Sequence, residues 1–412
     1  MNSFGSVVDG AHSPVDRPSR SVRYYLGVDF RDTPEEAAFR KELRDWIDGN
    51  KPPDSGPHIG RGDEDDQRAW ARKLHDAGYT GLTWPEEFGG RGLPHTHQAI
   101  FLEESARTET PEHIGVIGLG MAGPTIIAHG TDAQKKAYLG HILSGEEVWC
   151  QGFSEPGAGS DLASLKTRGE VDGDEFVVNG QKVWSSFAHI AERCILLVRT
   201  DAEAAKHQGI TYLLVDMHSP GVEVRPLRQI TGDPEFNEIF FSDVRVPKEN
   251  VLGEVNDGWR VAMTTLMHER GTLGFALTAR LEVLTRKVIQ AAEETGADQD
   301  PLIRDEIARR WIDLQALRFT NYRALTELMK TGIPGPEGSI AKLHWSETNQ
   351  RLTKLALRIL GERSQLDGNE GFWDGYWQYQ QLRSRGNTIE AGTSEVLRNI
   401  IAERVLGLPR SR

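Results

Sequence analysis

The segment 153–161 reads Phe-Ser-Glu-Pro-Gly-Ala-Gly-Ser-Asp and combines a flexible backbone with short hydroxyl and carboxylate side chains. It follows a predicted strand, and its proline and glycines are typical of a loop. Because glycine lacks a side chain, the backbone N–H groups of such a loop can come close to a ligand. We therefore expect this loop to hold a planar polar molecule.

A second candidate segment is Trp184-Ser185-Ser186, which ends another predicted strand. An indole at that place can stack on a heterocycle while a neighbouring hydroxyl reaches a ring nitrogen or carbonyl. A flavin offers both features. An ordinary tryptophan of the β core explains the same residues, since aromatic side chains dominate cores anyway. The residues alone leave both interpretations open.

The composition limits the class of protein. The chain has 412 residues, which predicts two or three domains. With 48 Lys and Arg against 61 Asp and Glu, the net charge is −13, which disfavours binding to nucleic acid. The longest largely apolar stretch, Ile114–Ala128, is shorter than the ~18–20 residues that a membrane span needs. We expect no membrane association.

Cysteine and histidine do not form a metal-binding pattern. Cys150 and Cys194 are the only cysteines, too few for a disulfide framework or a zinc site built on thiolates. The thirteen histidines show no spacing such as H-E-x-x-H. We expect no metal, a reducing compartment and a cytoplasmic location.

The hydrophobic periodicity divides the chain into a flexible tail (1–30) and three domains. Helical patterns dominate residues 31–147, where Thr33 with Glu36 and Thr131 with Gln134 form capping boxes. Residues 148–255 carry short apolar runs between turn residues, typical of an antiparallel sheet, and Asn179-Gly180 predicts a type I′ hairpin turn. Helical patterns return over 256–412 and are long enough for an antiparallel bundle. This segregation of helices from strands predicts an α+β fold.

Three glycines, Gly118, Gly120 and Gly123, satisfy the dinucleotide-binding pattern G-x-G-x-x-G. That motif needs a strand–turn–helix context and an acidic residue about twenty positions on, at the end of a second strand. His141, inside a predicted helix, falls near that position. Close helix packing across the glycines is the favoured interpretation.

Four segments together resemble the acyl-CoA dehydrogenase family. They are Ser154–Asp161, Trp84–Gly90, Asn179–Trp184 and Gly392–Glu395, and they occur in the family's order at similar spacing from about residue 33 to the end. The resemblance implies an N-terminal helical domain, a central antiparallel β-barrel-like domain and a C-terminal four-helix bundle. It also implies FAD held between domains and across subunits.

The resemblance further implies roles for individual residues. The family removes an α-proton and a β-hydride from an acyl-CoA, gives a trans-2-enoyl-CoA, and passes electrons to an electron-transfer flavoprotein. The resemblance implies that the following residues contact the flavin: Phe153, Ser154, Ser160, Trp184, Ser186, Thr393 and Glu395. It implies that the first three also line the acyl thioester.

The catalytic base is expected to be a glutamate whose pKa is raised by burial. In much of the family it directly precedes the terminal Gly-Thr pair, but here Ala391 stands there and Glu390 lies one residue earlier. A minority of the family carries the base early in the C-terminal domain, within a Glu-Arg pair, and Glu269-Arg270 resembles that arrangement. We favour Glu269 as the base with Arg270 as its neighbour, and keep Glu390 as the alternative.

Two departures leave the assembly open. The family's Arg-x-x-Phe-Gly motif for the FAD pyrophosphate is missing between residues 294 and 310, where Arg304, Arg309 or Arg310 can substitute, and residues 360–363 replace a usual glycine-rich stretch. A homodimer, a homotetramer or a heterotetramer is therefore compatible with the sequence. So are a noncatalytic partner subunit and a flavin monooxygenase or oxidase on the same fold. The acyl chain length and branching stay undetermined.

Overall fold

The computed structural model describes residues 31–52, 64–268, 273–332 and 335–410. The predicted tail over residues 1–30 and the predicted catalytic pair Glu269 and Arg270 lie outside the described residues. Among the helices that are described, none combines the length and the apolar character needed to cross a membrane.

The N-terminal part is helical, and its helices begin at the predicted caps. The Thr33 hydroxyl accepts from the Glu36 N–H at 3.2 Å, and the Glu36 carboxylate accepts from the Thr33 N–H at 2.8 Å. Thr131 and Gln134 form the same reciprocal pair, so both capping boxes are confirmed. The helices are α1 Pro34–Asn50, α2 Glu64–Asp76, α3 His95–Arg107, α4 Gly123–His129 and α5 Asp132–Ser144.

The glycine segment of the dinucleotide pattern is helical. Gly118–Ala122 forms one π-helical turn that runs directly into α4. A Cβ atom at Gly123 would lie 2.1 Å from the Trp84 indole. The glycine therefore permits close packing, as the sequence favours, and the segment lacks the strand that dinucleotide binding requires.

The central part is one seven-stranded sheet in which β1, β4, β2, β3, β7 and β6 lie side by side in that order and β5 pairs with β4. Strand β4 runs parallel to β1 and to β2, and the other strand pairs are antiparallel. The sheet core contains Phe176, Ile195, Leu213 and Ile239, all fully buried. The strands are β1 Trp149–Gly152, β2 Arg168–Asp172, β3 Glu175–Ser186, β4 Arg193–Arg199, β5 Ile210–Asp216, β6 Val222–Leu227 and β7 Phe236–Pro247.

The hairpin prediction at Asn179-Gly180 is wrong. Strand β3 continues through both residues, and the chain reverses instead at Gly173, whose φ is +61°. Asn179 bonds across to Asp243 on β7, where its Nδ2 donates at 2.9 Å. A Cβ atom at Gly180 would lie within 2.7 Å of Thr167. The glycine therefore lets two backbone segments come close together at a β-bulge, and it does not form a turn.

The C-terminal part is again helical, with a short first helix, four helices that pack around Leu281, Leu317, Leu352 and Trp377, and a short last helix. The order of helices, then strands, then helices confirms the predicted fold class. These helices are α6 Gly258–His268, α7 Leu273–Thr295, α8 Pro301–Thr331, α9 Glu337–Leu360, α10 Tyr376–Asn387 and α11 Ser394–Ile400.

Candidate active site

The two segments singled out from the sequence lie together in the structure. The backbone N–H of Val183 on β3 donates to the carbonyl of Ser154 in the loop at 2.9 Å. Lys182, also on β3, donates from Nζ to the Phe153 carbonyl at 3.1 Å and to Glu155 Oε1 at 2.8 Å. The loop 153–161, called the glycine loop below, is thus fixed to the strand that ends at Ser186.

Glu155 has a structural use inside the loop. Its carboxylate accepts from the backbone N–H groups of Lys166 at 2.7 Å and Thr167 at 2.9 Å, besides pairing with Lys182. Burial raises the pKa of Glu155, but Lys182 and these hydrogen bonds hold it below its ordinary value. Burial lowers the pKa of Lys182, against the attraction of Glu155. The attraction between the two groups therefore offsets part of the cost of burying each charge.

A β-bulge presents the tryptophan. Lys182 faces Ile239 on β7 and Ser185 faces Asn237, so β3 has one residue more than β7 between these pairs. Trp184 adopts a left-handed φ of +61°, which costs on the order of 1–3 kcal/mol for a residue with a Cβ atom. Its side chain is 61 % exposed, although it is the bulkiest residue of the strand. The structure therefore excludes the interpretation of Trp184 as β core.

The rest of the loop is open to ligands. Phe153 is buried, Ser154 is half-buried and Ser160 is exposed. A Cβ atom at Gly157 or Gly159 would meet nothing within 4 Å. An exposed indole, nearby hydroxyls and an uncovered glycine backbone are the features that a stacked, hydrogen-bonded heterocycle requires, so these residues fit a flavin ring.

Helix α10 faces the bulge across a short row of side chains. The Trp184 ring meets the Phe236 ring edge-on at 6.1 Å. The guanidinium of Arg383, on α10, lies 5.9 Å from the centre of the Phe236 ring. Arg383 pairs with Glu390 at 3.1 Å and with Glu235 at 3.4 Å. The C-terminal domain is thereby joined to the sheet next to the candidate flavin position.

The carboxylate of Glu390, the alternative base, is already hydrogen-bonded and ion-paired within its own domain. Its Oε1 accepts from Asn387 Nδ2 at 2.7 Å, and its Oε2 faces Arg383. Ala391 follows in a left-handed conformation with φ of +50°. Lys342 donates to the carbonyls of Asn387 and Gly392, both at 2.8 Å, and so fixes the turn. Glu390 would have to leave its ion pair to reach a substrate.

Glu235 is the more buried carboxylate of this cluster, with 8 % of its surface exposed. Burial raises the pKa of Glu235, and Arg383 opposes that effect. Burial likewise lowers the pKa of Arg383, but its two carboxylate partners raise it above its ordinary value. The cation and the two anions therefore depend on each other.

Helix α6 is linked to the loop 153–161 by a series of side-chain contacts. Thr265 on α6 lies 3.0 Å from the Thr125 hydroxyl on α4 and 3.1 Å from the Tyr212 hydroxyl on β5. The Tyr212 ring in turn meets the Phe153 ring edge-on at 5.8 Å. The residue four positions before Glu269 is therefore linked through a single tyrosine to the loop.

The two C-terminal candidates lie at the start of α11. The Thr393 hydroxyl caps this helix by accepting from the Val396 N–H at 3.2 Å, and the Glu395 side chain is largely exposed. Both border an open cleft of about 480 Å³ between α9, α10 and α11 that also contains Arg351, Lys354 and Arg385. Of the predicted pyrophosphate ligands, Arg309 pairs with Asp305 and Arg310 with Asp313, both on their own helix α8.

Sequence patterns did not reveal several residues of the site. Lys182, Phe236, Asn237 and Arg383 acquire their roles through contacts between distant parts of the chain. The only local signal was the Gln-Lys pair before Trp184, which belongs to the segment that resembles the acyl-CoA dehydrogenase family.

The comparisons with known proteins identify the class. The acyl-CoA dehydrogenase N-terminal, middle and C-terminal domains match residues 33–146, 150–244 and 256–406. The chain therefore belongs to the acyl-CoA dehydrogenase family and is an oxidoreductase enzyme.

Among its relatives, the acyl-CoA dehydrogenase IpdE1 of Mycobacterium tuberculosis is 44% identical over 384 residues, covering 90% of this chain and 97% of that protein. Two solved structures are also similar to this chain. The Tcur3481-Tcur3483 steroid acyl-CoA dehydrogenase has a TM-score of 0.84 at 33% identity and covers 93% of this chain and 100% of its own. The ChsE4-ChsE5 complex from Mycobacterium tuberculosis has a TM-score of 0.83 at 32% identity with the same coverage.

Proposed function

We propose that this chain binds FAD and catalyses the α,β-dehydrogenation of an acyl-CoA thioester, with Glu269 as the base. The observation that supports it best is the exposed Trp184 indole, held on a strained bulge beside Ser186 and fixed to the glycine loop. A strained backbone and an exposed aromatic side chain both destabilise a fold, and such features are usually found at functional sites. These residues of the bulge and the loop would hold FAD, which would supply a hydride acceptor for the β-carbon.

The chain's own residues are proposed to carry the remaining tasks. Trp184, Ser186, Phe153 and Ser154 would hold and orient the ring, with Ser160 at the open end of the loop. Thr393 and Glu395 would contact FAD from the C-terminal domain. Glu269 would take the α-proton, Arg270 would set its geometry or local charge, and burial would keep water away as charge develops on the thioester oxygen.

We prefer Glu269 to Glu390 because both oxygens of Glu390 are engaged by Asn387 and Arg383. A base must come within hydrogen-bonding distance of the proton that it removes. Glu269 is chosen because the pair Glu269-Arg270 resembles the arrangement in which a minority of the family carries the base early in the C-terminal domain. We also propose that the domains meet near residues 147 and 255.

For the substrate we propose a bulky, steroid-type acyl-CoA, because one similar structure is named a steroid acyl-CoA dehydrogenase. For the electron acceptor we propose an electron-transfer flavoprotein. For the assembly we propose a heterotetramer of two kinds of chain, because two similar structures are named as pairs of chains. The exposed Ile312 and Phe319 of α8, 65 % and 48 % exposed, support burial of this helix in an assembly.

A second candidate function is a noncatalytic subunit that completes the flavin site of another chain. The alanine at position 391, where much of the family carries its base, favours it.

Purification of the chain, alone and with a candidate partner, separates the two functions. The proposed enzyme is yellow with bound FAD, and an acyl-CoA bleaches it without oxygen. A chain that stays colourless and cannot be loaded with FAD, alone or with its partner, supports the noncatalytic role. Rapid reoxidation of the reduced protein by air, in place of reoxidation by an electron-transfer flavoprotein, indicates an oxidase or monooxygenase. A screen of acyl-CoAs for bleaching tests the steroid-type substrate.

A further inference from the structure

The bulge at Trp184 has backbone angles that few side chains adopt. Trp184 and Phe187 both have a φ of +61°, in the left-handed region that disfavours residues with a Cβ atom. Such a conformation persists only where surrounding contacts enforce it. Those contacts therefore decide where the Trp184 indole and the Ser186 hydroxyl point.

Asn237 supplies contacts of this kind. It faces Ser185 in the register of β3 and β7, and its side chain is fully buried. Its Nδ2 donates to the carbonyl oxygen of Ser185 at 3.0 Å and lies 3.2 Å from Nδ1 of His189. One amide thus holds the chain on both sides of Phe187.

An amide side chain is energetically unfavourable at this buried position. The Asn237 Oδ1 and the Ser185 Oγ are buried and have no hydrogen-bond partner among the residues that the structure describes. An unsatisfied buried acceptor destabilises a fold, and an apolar side chain of similar size would avoid that cost. What the amide contributes is the donor that it directs at the Ser185 carbonyl, next to Trp184.

We infer that Asn237 is a positioning residue of the flavin site, where its side-chain amide fixes the bulge so that Trp184 and Ser186 present their ring and hydroxyl to the flavin. This inference rests on the proposed function, because it takes the bulge as the place where FAD binds. Asn237 lies within the sheet and acts through the Ser185 carbonyl.

Two variants and a matched control test this role. Asn237→Ala removes the amide, and Asn237→Asp removes the donor hydrogens while the size of the side chain stays almost unchanged. Gln181→Ala is the control, because Gln181 Nε2 also donates from β3 to a β7 residue, Glu238 at 2.7 Å, but this bond joins two side chains, whereas Asn237 bonds to the backbone of the bulge. FAD is titrated into each apoprotein to give a Kd. The absorption spectrum and midpoint potential of the bound flavin are then recorded, and hydrogen exchange at residues 184–189 is measured without FAD.

We expect both Asn237 variants to raise the Kd for FAD by about tenfold, because each loses one hydrogen bond that holds the bulge in its binding conformation. The flavin spectrum and potential should shift, and exchange at residues 184–189 should become faster. Gln181→Ala should match the wild type in all four measurements. If Asn237→Ala does not fold, Asn237→Asp carries the test, since it retains the wild-type volume.

Folded Asn237 variants with the wild-type Kd, spectrum and potential would overturn the inference. So would variants that melt at a lower temperature while the folded fraction keeps the wild-type flavin spectrum and potential, since that pattern describes a merely structural residue. A wild-type protein that binds no FAD contradicts the proposed function instead. Hydrogen exchange then still decides whether Asn237 fixes the bulge, because that measurement needs no flavin.

Discussion

Lys182 and Glu155 form an ion pair that is closed to solvent at the point where the glycine loop meets strand β3. Lys182 Nζ lies 2.8 Å from Glu155 Oε1, and the lysine side chain has no exposed surface. The pair joins the two segments from which the sequence predicts ligand binding, although 27 positions separate the partners. Removal of one charge leaves the other buried alone, which is far more costly than removal of both.

Lys182→Met should therefore destabilise the protein by about 3–5 kcal/mol, since it leaves the Glu155 carboxylate without its cation. The loop should also detach from β3 and bind FAD more weakly. Urea unfolding gives the free energy, and FAD titration gives the affinity. The double variant Lys182→Met, Glu155→Gln should regain part of the stability. A double variant no more stable than Lys182→Met would show that the buried charge is not the cause.

Gly123→Ala should destabilise the protein by at least about 1–3 kcal/mol, because the new methyl group would lie 2.1 Å from the Trp84 indole in a packed core. The matched control is Gly120→Ala, in the π-helical turn that immediately precedes Gly123, where a Cβ atom would meet nothing within 4 Å. That substitution should be neutral or slightly stabilising, because alanine favours helix. Thermal unfolding of the two variants checks the contrast. Equal melting temperatures would contradict the packing role of Gly123.

Local signals in the sequence predict much of the fold. Capping boxes at Thr33 and Thr131 fix two helix starts because each depends on residues only three positions apart. Asn179-Gly180 misleads for a related reason: the same dipeptide that suits a tight turn also suits a β-bulge, and only the packing of Gly180 against Thr167 separates the two.

The site is predicted less completely than the fold. The glycine loop and the Trp184 segment are visible as local motifs, and their proximity in space agrees with the family resemblance. The bulge that exposes Trp184, the Asn237 amide opposite it and the bridge from Arg383 to Glu235 arise from strand register and domain packing. Such relationships between positions 50 to 150 residues apart leave no periodic trace in one sequence.

A half-buried histidine, His113, should make the stability fall in acid. The Nδ1 of His113 accepts from the Gly115 N–H at 2.9 Å, and its Nε2 is shielded from solvent. Burial, with a smaller repulsion from His75, lowers the pKa of His113 to about 4. The unfolded chain takes up this proton near pH 6.5. The neutral imidazole of His113 therefore makes its full contribution to the free energy of unfolding above about pH 6.5. This contribution is lost as the pH falls toward 4, at about 1.4 kcal/mol per pH unit.

His113→Gln removes this titration and provides the comparison. The difference in free energy of unfolding between wild type and variant, measured from pH 7 to pH 4, isolates the histidine because the carboxylates are common to both proteins. We expect the wild type to lose more stability than the variant over this range. Parallel pH profiles would contradict the burial of a neutral imidazole at position 113.

Arg383→Met should loosen the contact between the C-terminal helices and the sheet. It removes the cation shared by Glu235 and Glu390, and it leaves the buried Glu235 carboxylate without its positive partner. We expect a loss of about 3–5 kcal/mol at neutral pH, partly recovered in acid, where Glu235 becomes protonated and neutral. Arg286→Met is the control and should cost at most about 1 kcal/mol, because the Arg286 side chain is mostly exposed and Glu282, its partner on α7, also pairs with Arg107. Similar losses for both would rule out the bridging role.

The choice between Glu269 and Glu390 needs paired glutamine variants. Glu269→Gln should keep FAD bound but slow anaerobic reduction of the flavin by an acyl-CoA by about 100- to 10,000-fold, the usual range for loss of a general base. Glu390→Gln should retain most of the reduction rate, because its carboxylate is held by Arg383 and Asn387. The opposite pattern, with a large loss only in Glu390→Gln, would move the base to the C-terminal segment and require Glu390 to leave its ion pair during the reaction. Stopped-flow measurement of flavin bleaching decides between them, and the flavin content of each variant shows that cofactor loss is not the cause.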